Sequence, residues 1–212
     1  MIYLMRHGES PENVSRTLSC LHVDEPLTDR GIQQANQAAA WLADRTIRRI
    51  YASPMIRAKQ TASIVGRRLG LVPLIVEELR QIDCGALEGR SDPEAWQIYQ
   101  QIVVRWVSGD IDAGFEGGET GWHASQRFAR FIDSLPPGEG DVLVVAHLGI
   151  FAWGLLRLCF DLKAQNAWDL YLPNTGMVVV ERTSRGYSCV KWGLSEHLDR
   201  PSVPDVPEQI ME

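Results

Sequence analysis

The chain is short of the features that would announce several protein classes. Its four cysteines, Cys20, Cys84, Cys159 and Cys189, are scattered over 212 residues with no CxxC pair. That spacing argues against a zinc site and a disulfide scaffold and predicts ordinary reduced thiols. No run approaches the roughly 18 apolar residues of a membrane helix, so no membrane partner is expected. The start has neither the basic opening nor the long apolar stretch of a secretory signal, and a cytoplasmic location is expected. Basic residues do not dominate. The formal net charge is −6, a poor balance for a nucleic-acid binder, and none is expected as partner. Internal repeats and low-complexity tracts are also lacking.

What is present is a chain that is 45% apolar, enough to bury a sizeable core in one domain. The stretch that organises it is the first nine residues, M-I-Y-L-M-R-H-G-E. An apolar run reads as a buried strand, and this one stops at Arg6, His7 and Gly8. Open α/β sheets bind their ligands at the carboxyl ends of strands, so a site around His7 is the first expectation.

A polar loop over residues 10–26 follows, with Asn13 early in it. At this length it is either functional or mobile. A helix is predicted to start at Thr28 or Asp29, with Ile32, Ala35, Ala39 and Leu42 as its core stripe. Residues 47–53 read as a second strand, stopped by Pro54. A helix over residues 55–69 is closed by Gly70. Arg57 sits in its first turn, where a cation opposes the helix dipole. It is either a solvated arginine or a ligand for an anion held at that helix end.

Residues 71–77 read as a third strand and 78–89 as an ordered loop. Residues 93–107 read as a helix with Trp96, Tyr99, Ile102, Val103 and Trp106 on its apolar side. After a glycine-rich loop and a helix near residues 120–135, residues 141–146 form the cleanest buried strand. It ends at His147 and feeds an apolar helix over residues 150–160. Segments 176–182 and 187–192 read as a closing strand pair. The tail, residues 195–212, reads as irregular. Alternation of strands and helices predicts an α/β fold: three layers, with a mostly parallel central sheet and helices on both faces. Residues 1–194 are expected to form one domain, with a lid-like helical insert near residues 90–118.

Two histidines thus end two buried strands, with Arg6 beside one and Arg57 opening a nearby helix. Arginine forks suit phosphate oxygens. A neutral histidine is a competent nucleophile toward phosphorus, and a second can hydrogen-bond the transferring group. These residues, with Pro26-Leu27-Thr28-Asp29-Arg30-Gly31, Ala52-Ser53-Pro54-Met55-Ile56-Arg57-Ala58, Gln60-Thr61-Ala62 and Ala146-His147, resemble the histidine phosphatase superfamily, in its order. The resemblance spans residues 1 to about 180 and implies the phosphoglycerate mutase-like fold. It implies a phosphohistidine on His7, phosphate binding by Arg6, Arg57, Asn13 and His147, and no metal or other cofactor. Mutases of the family tend to be longer, which favours a phosphatase of a small phosphorylated molecule, monomeric or homodimeric.

Two departures stand out. The family phosphatases place a general-acid glutamate where this chain has Gln81, within Leu79-Arg80-Gln81-Ile82-Asp83-Cys84-Gly85-Ala86-Leu87-Glu88-Gly89. Glutamine has no titratable proton. Either the substrate has a good leaving group, or Asp83 (less well Glu88) supplies the proton, or the chain binds phosphorylated ligands with little turnover. Leu148 stands where a glycine commonly follows the histidine, and either narrows the pocket or alters the loop. Trp96 and Trp106 are expected either to favour a ring-bearing substrate or to pack as core. Glu119 is expected to cap the late helix or to touch substrate. His22, His123 and His197 are expected in loops or at the surface.

Overall fold

A computed structural model of the chain describes residues 1–136, 138, 140–164 and 167–198. Its centre is the opening strand, Ile2–Arg6 (β1), buried along its whole length. It runs parallel to Asp141–Ala146 (β4), with Ile2 opposite Val142 and Arg6 opposite Ala146. On its other side it pairs antiparallel with Met177–Thr183 (β5). Ile47–Ala52 (β2) continues the parallel half beyond β4, and Leu74–Ile75 (β3) ends it. Gly186–Leu194 (β6) pairs with β5 and closes the antiparallel side. The order is β3-β2-β4-β1-β5-β6. The sheet is parallel through its core and antiparallel only where the closing hairpin was expected.

Alternation along β1 sorts the two faces, because successive side chains of a strand point opposite ways. Tyr3 and Met5 join Ala38, Ala39 and Leu42 of Asp29–Leu42 (α2) and Ala58, Ala62 and Val65 of Ile56–Leu69 (α3). Ile2 and Leu4 join Phe128, Phe131 and Ile132 of Gly121–Ser134 (α5) and Ile150 and Phe151 of Leu148–Leu158 (α6). Helices therefore cover both faces. Each fully buried large apolar side chain contributes roughly 1.5–3 kcal/mol, so both layers are needed. The expected caps are formed: Thr28 accepts from Gly31 N at 3.0 Å, and Gly70 closes α3 with φ +68°.

Four local expectations change. Loop 10–26 contains a short helix, Pro11–Ser15 (α1), started by proline and by a reciprocal Ser10–Asn13 capping box. The third strand shrinks to two exposed residues, because Pro73 has no N–H to give and only β2 lies beside this edge. Ile32 is 41% exposed and does not join the α2 stripe. His197 is buried at the end of the described chain, its ring 6.2 Å from Trp41 and its Nε2 3.1 Å from Thr175 Oγ1. The hydroxyl satisfies one ring nitrogen, while Nδ1 is buried with no partner among the described residues. Residues 199–212 of the expected tail lie outside the described residues.

The reading of four unpaired thiols also fails. Cys20 and Cys84 form a disulfide across 64 residues of sequence, with Cα atoms 6.2 Å apart. Spacing along the chain hid this, because the loop after α1 and the segment after β3 fold back against each other. The Glu88 carboxylate reinforces the junction by accepting from Cys20, Leu21, His22 and Val23 N at 2.9–3.3 Å. Cys159 and Cys189 remain free.

Candidate active site

The first motif is held by the second. Gly8 N donates to Thr61 Oγ1 at 3.0 Å, and Glu9 N to Gln34 Oε1 at 2.9 Å. A methyl on Gly8 would lie 2.5 Å from Gly31 O, so this close approach requires glycine. The backbone of Arg6 and His7 is fixed from the far side. Thr175 N donates to both carbonyls at 3.1 and 3.2 Å, and Asn174 Nδ2 donates to His7 O at 3.1 Å. Thr175 adopts φ +57° to do so, a costly conformation for a β-branched residue. No sequence signal pointed to Asn174 or Thr175.

His7 is 3% exposed, and its Nδ1 lies 2.7 Å from Gly8 O. A carbonyl only accepts, so Nδ1 carries the ring proton and Nε2 presents its lone pair. Burial, with the charges of Arg57 and Arg6, holds the ring's pKa well below the usual histidine range, against the pull of Gly8 O. The base is therefore neutral at pH 7.

Arg57 is 3% exposed, not a solvated arginine. Its Nε donates to His7 Nε2 at 3.2 Å, its Nη2 to Ser19 O at 3.0 Å, and its Nη1 faces Asp24 at 3.4 Å and Glu12 at 3.9 Å. Burial draws its pKa down, while Glu12 and Asp24 oppose that. Arg6 is 5% exposed, with Nη1 donating to Leu172 O at 2.8 Å. Asn13 Oδ1 accepts from Asn174 Nδ2 at 3.0 Å.

His147 is fully buried, its ring centroid 5.1 Å from that of His7. Its Nε2 lies 2.8 Å from Ser53 Oγ, which itself accepts from Met55 N at 3.3 Å. With the hydroxyl proton turned to Nε2, the ring proton sits on Nδ1, which is buried with no partner among the described residues. Burial first, then the charge of Arg57, keeps this ring neutral too. The paired strands β1 and β4 thus bring Arg6, His7 and His147 together, and α3 adds Arg57.

The neighbouring cavity measures about 220 Å³ and is lined by Arg6, His7, Arg57, Asn13 and Gln81 at its polar end. Trp96, Tyr99 and Trp106, from Pro93–Val107 (α4), with Leu148 and Trp153 make its apolar wall. Trp106 is also core: it is 2% exposed, with ring contacts to Phe115 and Trp153. Burial pushes the Tyr99 hydroxyl up to about 12. Leu148 occupies pocket wall and begins α6 without breaking it.

The acidic candidates separate. Gln81 lines the cavity, its Oε1 accepting from Ile82 N at 3.0 Å. Asp83 does not line it, and its Oδ1 accepts from Gly85 N at 2.9 Å. Glu88 is occupied by the loop amides described above. Glu119 neither caps α5, where Thr120 serves, nor reaches the cavity. It accepts from Arg127 Nε at 2.7 Å and from Asp83 N at 3.0 Å. Burial alone would raise its pKa, but Arg127 and Arg80 hold it below the usual range. Glu12, not singled out from sequence, does line the cavity. His22 and His123 are exposed, as expected.

Among the described residues, Cys20, Cys84 and Glu88 bring potential ligand atoms within 4.8 Å of one another. The sulfurs are bonded to each other and the carboxylate is saturated by amides, so the set does not fit a metal ion.

Comparison with known proteins gives a consistent picture. A model of the histidine phosphatase superfamily (branch 1) matches residues 2–195. A Yersinia pestis protein named probable phosphoglycerate mutase GpmB is 30% identical over 97% of this chain and 98% of its own. Bacillus stearothermophilus YhfR has a solved structure similar to this one, with TM-score 0.78, 27% identity and coverage of 92% and 98% of the two chains. A putative α-ribazole-5′-P phosphatase from Escherichia coli gives TM-score 0.74 and 26% identity over 92% and 97%.

Proposed function

The chain belongs to the histidine phosphatase superfamily, and from that premise we propose that it hydrolyses a small phosphate ester through a phosphohistidine on His7. The observation that carries this is the neutral His7 whose Nε2 lone pair is directed at Arg57, 3.2 Å away. Arg57 and Arg6 take the phosphate oxygens, displacing the bond to Nε2. Asn13 borders the same cavity and adds a polar contact. The lone pair then attacks phosphorus, and the unpartnered Nδ1–H of His147 stabilises the charge on the transferring group. Water attacks the phosphohistidine in the second step, releasing phosphate and restoring the imidazole. Phosphatases among the structural relatives support hydrolysis. The aromatic wall favours an ester with an apolar or ring-bearing portion. The cytoplasm is the proposed compartment, where the Cys20–Cys84 bond is open to reduction.

Rapid quench with ³²P-labelled p-nitrophenyl phosphate should trap acid-labile label on His7. An unlabelled protein, with activity retained in His7→Ala, would sink the covalent route. The name of the Yersinia relative favours a mutase as second reading. A mutase would pass the label to a hydroxyl of a second sugar phosphate faster than to water.

A further inference from the structure

A phosphoryl transfer from an alkyl ester leaves an alkoxide that needs a proton, and Gln81 cannot give one. We infer that Glu12 is the proton donor; the inference rests on the phosphohistidine reading and supplies its missing acid. Asp83 is off the cavity, Glu88 is bound to four amides, and Glu119 is tied to Arg127. Asp24 accepts from Ile56 N through both oxygens. Among the described residues, Glu12 is the one carboxylate that lines the cavity holding His7, Arg57 and Gln81.

Its surroundings are unusual for a carboxylate. Glu12 is 4% exposed. Oε1 accepts from Glu25 N at 2.7 Å and lies 3.9 Å from Arg57 Nη1, while Oε2 is buried with no hydrogen-bond partner among the described residues. Nature rarely leaves such an oxygen unmatched, because each orphaned acceptor is costly. A ligand oxygen that shares a proton with Oε2 removes the deficit. One guanidinium separates this carboxyl from the nucleophile, since Arg57 faces His7 through Nε and Glu12 through Nη1. The position follows from sequence: Pro11 starts α1 and the Ser10–Asn13 box fixes it, so Glu12 lies in the first turn after the nucleophile motif.

A carboxylate and a phosphate dianion brought together share one proton, as paired acids do. In the first step the His7 Nε2 pair forms the N–P bond, and the P–O ester bond breaks with its electrons on oxygen. That oxygen takes the proton from Glu12, which becomes a carboxylate. In the second step Glu12 takes a proton from the attacking water, the O–P bond forms, and the N–P pair returns to His7. The net change is ester plus water to alcohol plus hydrogen phosphate, with Glu12 again protonated.

The test compares Glu12→Gln with wild type on p-nitrophenyl phosphate, whose leaving group needs no acid, and on 2-phenylethyl phosphate, whose alkoxide does. The loss of kcat/KM on the phenylethyl ester should exceed that on the nitrophenyl ester by about 10²-fold. Adding Gln81→Glu to Glu12→Gln should recover most of the difference. Equal losses on both esters would reduce Glu12 to a residue that positions Arg57, and no loss on either would remove it from the reaction; both overturn the inference. If Glu12→Gln fails to fold, Glu12→Met, which also lacks an acid proton, carries the same comparison. Labelling of His7 in wild type separates the two claims. Label with equal losses overturns only the role of Glu12, whereas no label overturns the phosphohistidine reading and this inference with it.

Discussion

Arg57 Nε donates to the lone pair of His7 Nε2 at 3.2 Å. On the proposed mechanism, the nucleophile is masked by the cation that later grips the phosphate, and substrate binding frees it. Lysine in place of Arg57 keeps a charge but loses the fork that reaches His7, Ser19 and Asp24 together. Arg57→Lys should lower kcat/KM for p-nitrophenyl phosphate by about 10²- to 10³-fold, with the thermal transition nearly unchanged. Retention of full activity would show that charge alone suffices at this position.

Thiol chemistry tests the link between the two loops. Without reductant the denatured protein should titrate two thiols, Cys159 and Cys189, and with reductant all four. Reduction should lower the urea midpoint by an amount equal to about 2–4 kcal/mol, the range for cross-links closing loops of this size. Four thiols in both samples would mean the bond does not form under the conditions used.

Acid should destabilise the fold through its buried imidazoles. His7, His147 and His197 have pKa values held below the usual range, chiefly by burial. Below about pH 6.5 the unfolded chain takes up protons that the folded chain refuses. The stability these groups contribute is therefore complete above that pH and falls as pH drops toward the folded values. Each fully refusing histidine costs up to about 1.4 kcal/mol per pH unit. Urea titrations from pH 7.5 to 5.5 should show the decline, and His147→Asn should make it shallower. An unchanged slope in that variant would mean His147 takes up its proton in the folded state.

Leu148 should set the size of the substrate rather than the rate of its reaction. Leu148→Ala removes part of the apolar cavity wall. KM for phenyl phosphate should rise about 3- to 10-fold with kcat preserved, and 2-naphthyl phosphate should gain relative to it. A fall in kcat at constant KM would place Leu148 at the phosphoryl end.

The convergence of Arg6, His7, Arg57 and His147 was legible in the sequence because each breaks a local rule. Two of them end buried strands, and an arginine opens a helix. Those are conflicts that a functional site explains. The parallel core of the sheet was legible for a related reason, since its central strands β1 and β4 are almost wholly apolar. Legibility failed where the deciding partner lies far along the chain. Cys20 meets Cys84 only once two loops fold together, and His197 is buried by Trp41 and Thr175. Pro73 could have warned that the third strand would be short. Glu12 stayed hidden because a lone glutamate in a polar loop looks like solvent-facing charge, and only its burial and unmatched oxygen mark it out.

The position of β1 between β4 and β5 divides the two halves of the site by how readily they open. The amides of β1 are locked into strands on both sides, so their exchange with deuterium requires the sheet itself to part. The loop carrying Ser19, Cys20 and Asp24 has no strand beside it; the Glu88 carboxylate, the sulfur bridge and side-chain bonds to Arg57 and Ile56 N hold it. Slow amides behind His7 and faster ones around Asp24 are the consequence. On the proposed hydrolysis, product would leave by a local opening of the loop while His7 and its tautomer stay in register for the next turnover.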